Sequence, residues 1–173
     1  MADDYFLKID GIEGESQDAR HKGEIALDAW SFGGAAEETV GGKLSGLARP
    51  GVASGRFNAQ DFQFMAKISK ASPMLFQACA TAKHLPRVTM TGRKAGDNPQ
   101  DYLKITLSEV LITSYQQSGA GGTGTVPVDQ VSCNFARIDI EYRGINPDGS
   151  LGSPVSASFD LKKKPGLSRG RRR

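Results

Sequence analysis

Cysteine and histidine are the side chains most able to do covalent or acid–base work, and this chain of 173 residues has two of each. Cys79 and His84 can be pictured as a thiol nucleophile and its base, but both would have to leave the core and be brought together, and nothing nearby completes a triad. Cys79 and Cys133 are too few and too far apart for a disulfide framework or a CxxC metal site, and both lie among apolar neighbours, so they read as small buried thiols. His21 lies between Arg20 and Lys22 in a polar stretch, which makes it a surface residue rather than a ligand or base. Gly33 to Arg56 carries glycines at 33, 34, 41, 42, 46, 51 and 55. It has neither GxxxxGK[ST] nor GxGxxG, so its glycines do not point to phosphate binding. No enzyme, metal or cofactor is expected.

The elements that hold these residues are mostly strands. KGEIALDAWSFGG, Lys22 to Gly34, contains the single tryptophan. Ile25 and Leu27 share one face while Trp30 and Phe32 share the other parity, so the apolar face changes near Asp28 and Ala29, and a bulge there accounts for it. Ser31, between two large aromatics, then points to a wet or interfacial surface. Phe6, Leu7 and Ile9 mark a first strand before the Asp10-Gly11 turn. Phe62 and Phe64 mark another. Ser72 as N-cap and Pro73 at the first helical position predict a helix through MLFQACATAKH, with Leu75, Ala78, Cys79 and Ala82 as its apolar stripe and Leu85-Pro86 as its stop. Strands follow at Arg87–Lys94, Tyr102–Tyr115 and Val126–Tyr142. The last strand alternates Val155, Ala157, Phe159 and Leu161 with polar residues.

Three long strands thus change their apolar face midway. Either each passes from its own core to a second apolar environment such as a neighbouring subunit, or bulges turn the corner of a barrel. Both lead to a mainly β fold, an antiparallel two-sheet β-barrel with one short α-helix and a long protruding loop. In that loop, Gly33 to Arg56, the apolar anchors Leu44, Leu47 and Val52 predict an arm that docks on another protein chain.

With 38% hydrophobic and 24% charged residues, the chain suffices for one ordinary domain. No apolar run is long enough to span a membrane as a helix. MADDYFLKID lacks the basic and apolar segments of a secretory signal, so a standard Sec route is not expected. The net charge of +3 hides a division: seven of the 22 Lys and Arg residues fall in the last twelve positions, leaving 15 bases against 19 acids, a body of about −4. A domain at 1–161 and a basic, disordered tail at 162–173 are expected. An acidic body argues against a nucleic-acid-binding face there, and a nucleic-acid module acting through the tail is the weakest of the functional readings.

FLKIDGIEGES, HKGEIALDAWSFG, the glycine-rich segment, FNAQDFQFMAKISKASPMLFQACATAKHLP, RKAG, YLKITLSEVLITSY and NFARIDIEYR occur in an order that resembles the hemolysin-coregulated proteins (Hcp), the inner tube proteins of type VI secretion systems. The ordered series spans residues 4 to about 161. None of its motifs is a catalytic signature. The resemblance implies homo-hexameric rings that stack into a tube, driven out of the bacterial cytoplasm by a contracting sheath under a spike protein, with effector proteins in the lumen. It makes Ser31 a lumen-facing effector contact, and Leu44, Leu47 and Val52 part of a ring-stacking loop. Phe32 stands where the family usually has tryptophan, and the tail extends past the family's usual end. A phage-type tail tube subunit is the alternative within the same architecture.

Overall fold

The computed structural model describes residues 3–37 and 56–162. Along the chain run β1 (Asp3–Ile9), β2 (Ile25–Ser31), β3 (Gly34–Glu37), β4 (Arg56–Ala59), β5 (Phe62–Lys67), α1 (Ala71–Ala80), β6 (His84–Lys94), β7 (Gln100–Ser118), β8 (Val128–Ile145) and β9 (Leu151–Asp160). Six antiparallel strands in the order β5-β2-β1-β6-β7-β8 close on themselves through pairing of β5 with β8, and β9 adds to the far half of β8. This is the mainly β barrel with one helix that the apolar patterning predicts. β3 and β4 form a separate two-stranded ribbon, so both ends of the long glycine-rich segment are β structure rather than open loop. Gly34 is favoured in that ribbon, because a Cβ there would meet the Asn58 carbonyl oxygen at 2.9 Å as well as the Phe57 ring at 2.3 Å. Leu44, Leu47 and Val52 lie outside the described residues, as does the tail beyond Lys162.

The changes of apolar face have two structural causes. In β2 the register against β5 shifts between Leu27 and Ala29, the bulge expected near Asp28. In β6, β7 and β8 the changes fall on one line across the sheet. Leu85, Val110 and Phe135 are register partners on one side of it, and Arg87, Ser108 and Arg137 on the other. On the line itself stand Pro86, Glu109 and Ala136. Glu109 takes a left-handed φ of 50°, a conformation that costs a non-glycine residue about 1–2 kcal/mol and turns the following side chains to the opposite face. Leu107, Val110, Phe135 and Ile138 all join one buried cluster within the single chain. The corner of a barrel therefore explains these switches. Beyond the corner, however, the apolar row leaves the core: Ile140 is half-buried and Tyr142 is 50% exposed.

The helix begins differently from the expectation. Ser72 is not the N-cap; it lies inside the first turn of α1, which Lys70 precedes without a side-chain cap. The Ser72 hydroxyl donates to the buried Asp129 carboxylate and accepts the Ser69 N–H at 3.0 Å, while Ser69 Oγ accepts the Ala71 N–H at 3.2 Å. Asp129 also accepts from Tyr115 at 2.8 Å and Gln117 at 3.2 Å, tying α1 to β7 and β8. Burial and the neighbouring Asp129 carboxylate push the Tyr115 phenol up to about 12. Nor does Leu85-Pro86 stop the helix, since both residues belong to β6. It ends where Ala82 adopts φ 50° and Lys83 N–H returns to Ala78 O at 3.0 Å, a left-handed C-terminal closure. Leu75 and Ala78 are buried as expected, Cys79 is half-buried, and Ala82 is exposed beyond the helix.

Candidate functional site

The β2 bulge decides which way Ser31 faces. Without it, Ala29 and Ser31 would follow Ile25 and Leu27 into the core; with it, Trp30 turns inward and Ala29 and Ser31 turn out. Trp30 stacks on Phe62 with centroids 6.2 Å apart and meets the edge of Tyr5 at 5.7 Å. Phe32, just past β2, meets Phe135 edge-on at 6.3 Å. Two aromatic anchors thus fix the backbone on either side of an exposed serine. Ser31 pairs with Gln63, which pairs with Ser132, while Met65 pairs with Gln130. On the far side of β8, a second register shift in β7 sets Ser114 opposite Ser132, and Gln116 faces Gln130. Gln130 Nε2 lies 3.7 Å from Met65 Sδ. Together these side chains line a depression of about 350 Å³.

A second surface is apolar. Along β9, Val155, Ala157 and Phe159 face the same way as their partners Tyr142, Ile140 and Ile138. Val155 is 71% exposed and Phe159 44%, although Phe57 of β4 meets the Phe159 ring at 5.2 Å. Alternation in the sequence predicts an apolar face on this strand, and among the described residues that face is left largely uncovered.

The other outward face of the barrel, over β1, β6, β7 and β8, is charged. A cleft of about 470 Å³ there is lined by Lys8, Asp10, Arg87, Lys104, Glu141 and Arg143 among others. His21 borders it and is not the surface residue expected. It is 7% exposed, stacked on Phe6 with centroids 4.5 Å apart, with Nδ1 2.9 Å from Glu24 and Nε2 3.3 Å from Asp101. Arg93, also buried, donates to Asp18 at 2.6 Å and to Asp101 at 2.7 Å. Asp18 is held below its usual value by the backbone N–H of Arg20 and by Arg93. Burial alone would raise Asp101, but the hydrogen bonds from Arg93 and His21 prevail and lower it. The network latches the 11–24 segment onto the barrel. Sequence reasoning missed it because the partner, Asp101, is 80 residues from His21, whereas the adjacent cations suggest only solvent.

Cys133 is buried, and its burial pushes the thiol up to about 12. That protonates it at neutral pH and disfavours nucleophilic use. His84 is exposed at the start of β6, and no hydrogen bond joins it to Cys79 among the described residues. Nor do those residues hold a group of three potential metal ligands, or a helix long and apolar enough to cross a membrane.

Known proteins with this arrangement are readily found. A family model described as "Type VI secretion system effector, Hcp" matches residues 6–142. Protein hcp1 of Pseudomonas aeruginosa is 37% identical over 165 residues, covering 94% of this chain and 98% of its own length. Among solved structures, Hcp1 from Salmonella typhimurium superimposes with a TM-score of 0.73 at 31% identity, covering 94% of this chain and 96% of that one. A type VI secretion system effector from Yersinia pestis gives 0.69 at 33% identity, covering 90% and 98%. A barrel closed by β5 and β8, extended by β9 and matched over nearly its full length by these proteins places the chain in the Hcp family of type VI secretion, as a structural tube protein and not an enzyme.

Proposed function

We propose that six copies of this chain form a ring, that rings stack into the tube expelled by a contracting sheath beneath a spike protein, and that effector proteins travel in the lumen against Ser31. The observation that carries this reading is the uncovered apolar face of Tyr142, Val155 and Phe159. A continuous apolar patch on one sheet marks a surface that a further protein covers, and in a closed ring the next copy supplies the cover, as a head-to-tail interface requires. The domain is residues 1–161, the basic tail follows, and Leu44, Leu47 and Val52 contact the adjacent ring. The protein leaves the bacterial cytoplasm through the machine it helps to build.

Negative-stain microscopy of the purified chain tests the ring, with six-fold annuli expected; particles of single-chain size at all concentrations would refute it. Ser31→Gln tests the lumen, because it adds bulk on an exposed position without disturbing the anchors beneath. Rings should persist while binding of cognate effectors falls, and unchanged binding of all of them would remove Ser31 from the contact.

A further inference from the structure

The two outward faces of the barrel differ in charge, and the difference says what kind of cargo the Ser31 face takes. Every described residue lining the depression around Ser31 is uncharged. In a chain with 24% charged residues, the row Ser31–Gln63–Ser132–Ser114 and the row Ala29–Met65–Gln130–Gln116 offer only hydroxyls, amides, a thioether and a methyl. Charges begin at the ends, with Asp61 before Gln63, engaged by the Thr113 hydroxyl at 2.7 Å, and Lys67 after Met65. The cleft over β1, β6, β7 and β8 is lined largely by cations and carboxylates instead.

Four strands at their usual spacing make this surface about 14 Å wide, the scale of a patch on a folded protein. An ionised group pressed against it would lose water and meet no counter-charge, which disfavours it strongly. Serine and glutamine side chains both donate and accept, so they can match the backbone and hydroxyl groups of a partner. Met65 adds an adaptable apolar contact. Resting on the cargo-carrier reading above, we infer that the Ser31 face selects folded protein cargo whose contacting surface is itself uncharged and hydrogen-bonding, so that cargo is held without ion pairs.

The test uses the assembled full chain and, as probes, the small secreted proteins encoded beside its gene, each purified with a tag. Affinity is measured as salt rises from about 0.05 M to about 0.5 M, which shortens the screening length to a few ångströms. The expected change is less than about twofold. Gln63→Glu and Gln130→Glu, on exposed positions, should each weaken binding at least about tenfold, whereas Lys104→Glu on the charged face should not. Affinity that collapses with salt, or that ignores both glutamate variants, would overturn the inference and leave the cargo reading standing. If no probe binds at any salt, the cargo reading itself fails and the inference with it.

Discussion

Val155→Asp separates assembly from folding, and its effect can be worked from where the residue lies. Val155 is 71% exposed in the single chain, in the middle of β9, so the substitution removes little from the monomer. The expected cost to folding is within about 1 kcal/mol, mostly the lower strand preference of aspartate. In the proposed ring the same position is covered. Burying a valine fully stabilises by about 1.5–3 kcal/mol, so covering 71% of it contributes about 1–2. An unpaired carboxylate buried in its place adds about 3–5 kcal/mol, by analogy with a charge stripped of its partner. Together the interface loses about 4–7 kcal/mol, a fall of about 10³- to 10⁵-fold in affinity. Light scattering coupled to size exclusion should find the variant monomeric at low micromolar concentration, with a thermal unfolding midpoint close to that of the parent. An unchanged oligomer would refute the assignment of this face to the subunit interface. A variant that fails to fold would show instead that β9 is needed by the barrel itself.

Three further predictions follow from particular residues. Ala82→Gly should stabilise the chain by about 1 kcal/mol, since Ala82 is exposed at φ 50°, and so raise the midpoint by about 2–4 °C; a lower midpoint would contradict the strain argument. Arg93→Met removes the cation between Asp18 and Asp101, whose side chains are 29% and 35% exposed. Its cost at neutral pH should be about 1–3 kcal/mol, less than for a fully buried pair because water screens both carboxylates. Both aspartates are held below the ordinary aspartate range in the folded chain by Arg93 and its neighbours, so the stability they contribute is present above the unfolded value and is lost as pH falls through their lower folded values. Thermal midpoints from pH 6 down to pH 3 should therefore drop more steeply for the parent than for Arg93→Met, and parallel curves would exclude the linkage. Deletion of residues 44–52 should leave isolated rings intact but prevent stacking, as judged by microscopy; tubes of normal length would rule out a stacking role for that segment.

Local rules made much of the fold legible. The parity of Ile25, Leu27, Trp30 and Phe32 located the β2 bulge and the outward turn of Ser31, because each side chain in a strand is committed to one face. The same parity in β7 and β8 revealed the switches but left their cause open. What settles it is Glu109, and a glutamate gives no sign in sequence of adopting a left-handed conformation usually reserved for glycine or asparagine. Ser72 followed a sound capping rule yet was claimed by Asp129, 57 residues away. His21 was misjudged for the same reason: besides Glu24, three residues on, its ring is held by Asp101, 80 residues away. The charge-free surface around Ser31 was illegible because four strands contribute to it and only their register brings the glutamines and serines together. The uncovered face of β9 was half legible, since alternation names an apolar face without naming what lies against it.

The native mass of the full chain in solution tests the central claim most directly. Light scattering across a concentration series should give six times the mass of one chain, with the apolar face of β9 closed between neighbours. A single-chain mass persisting at the highest concentration would mean that this face is covered by something other than a second copy, and the ring would have to be abandoned.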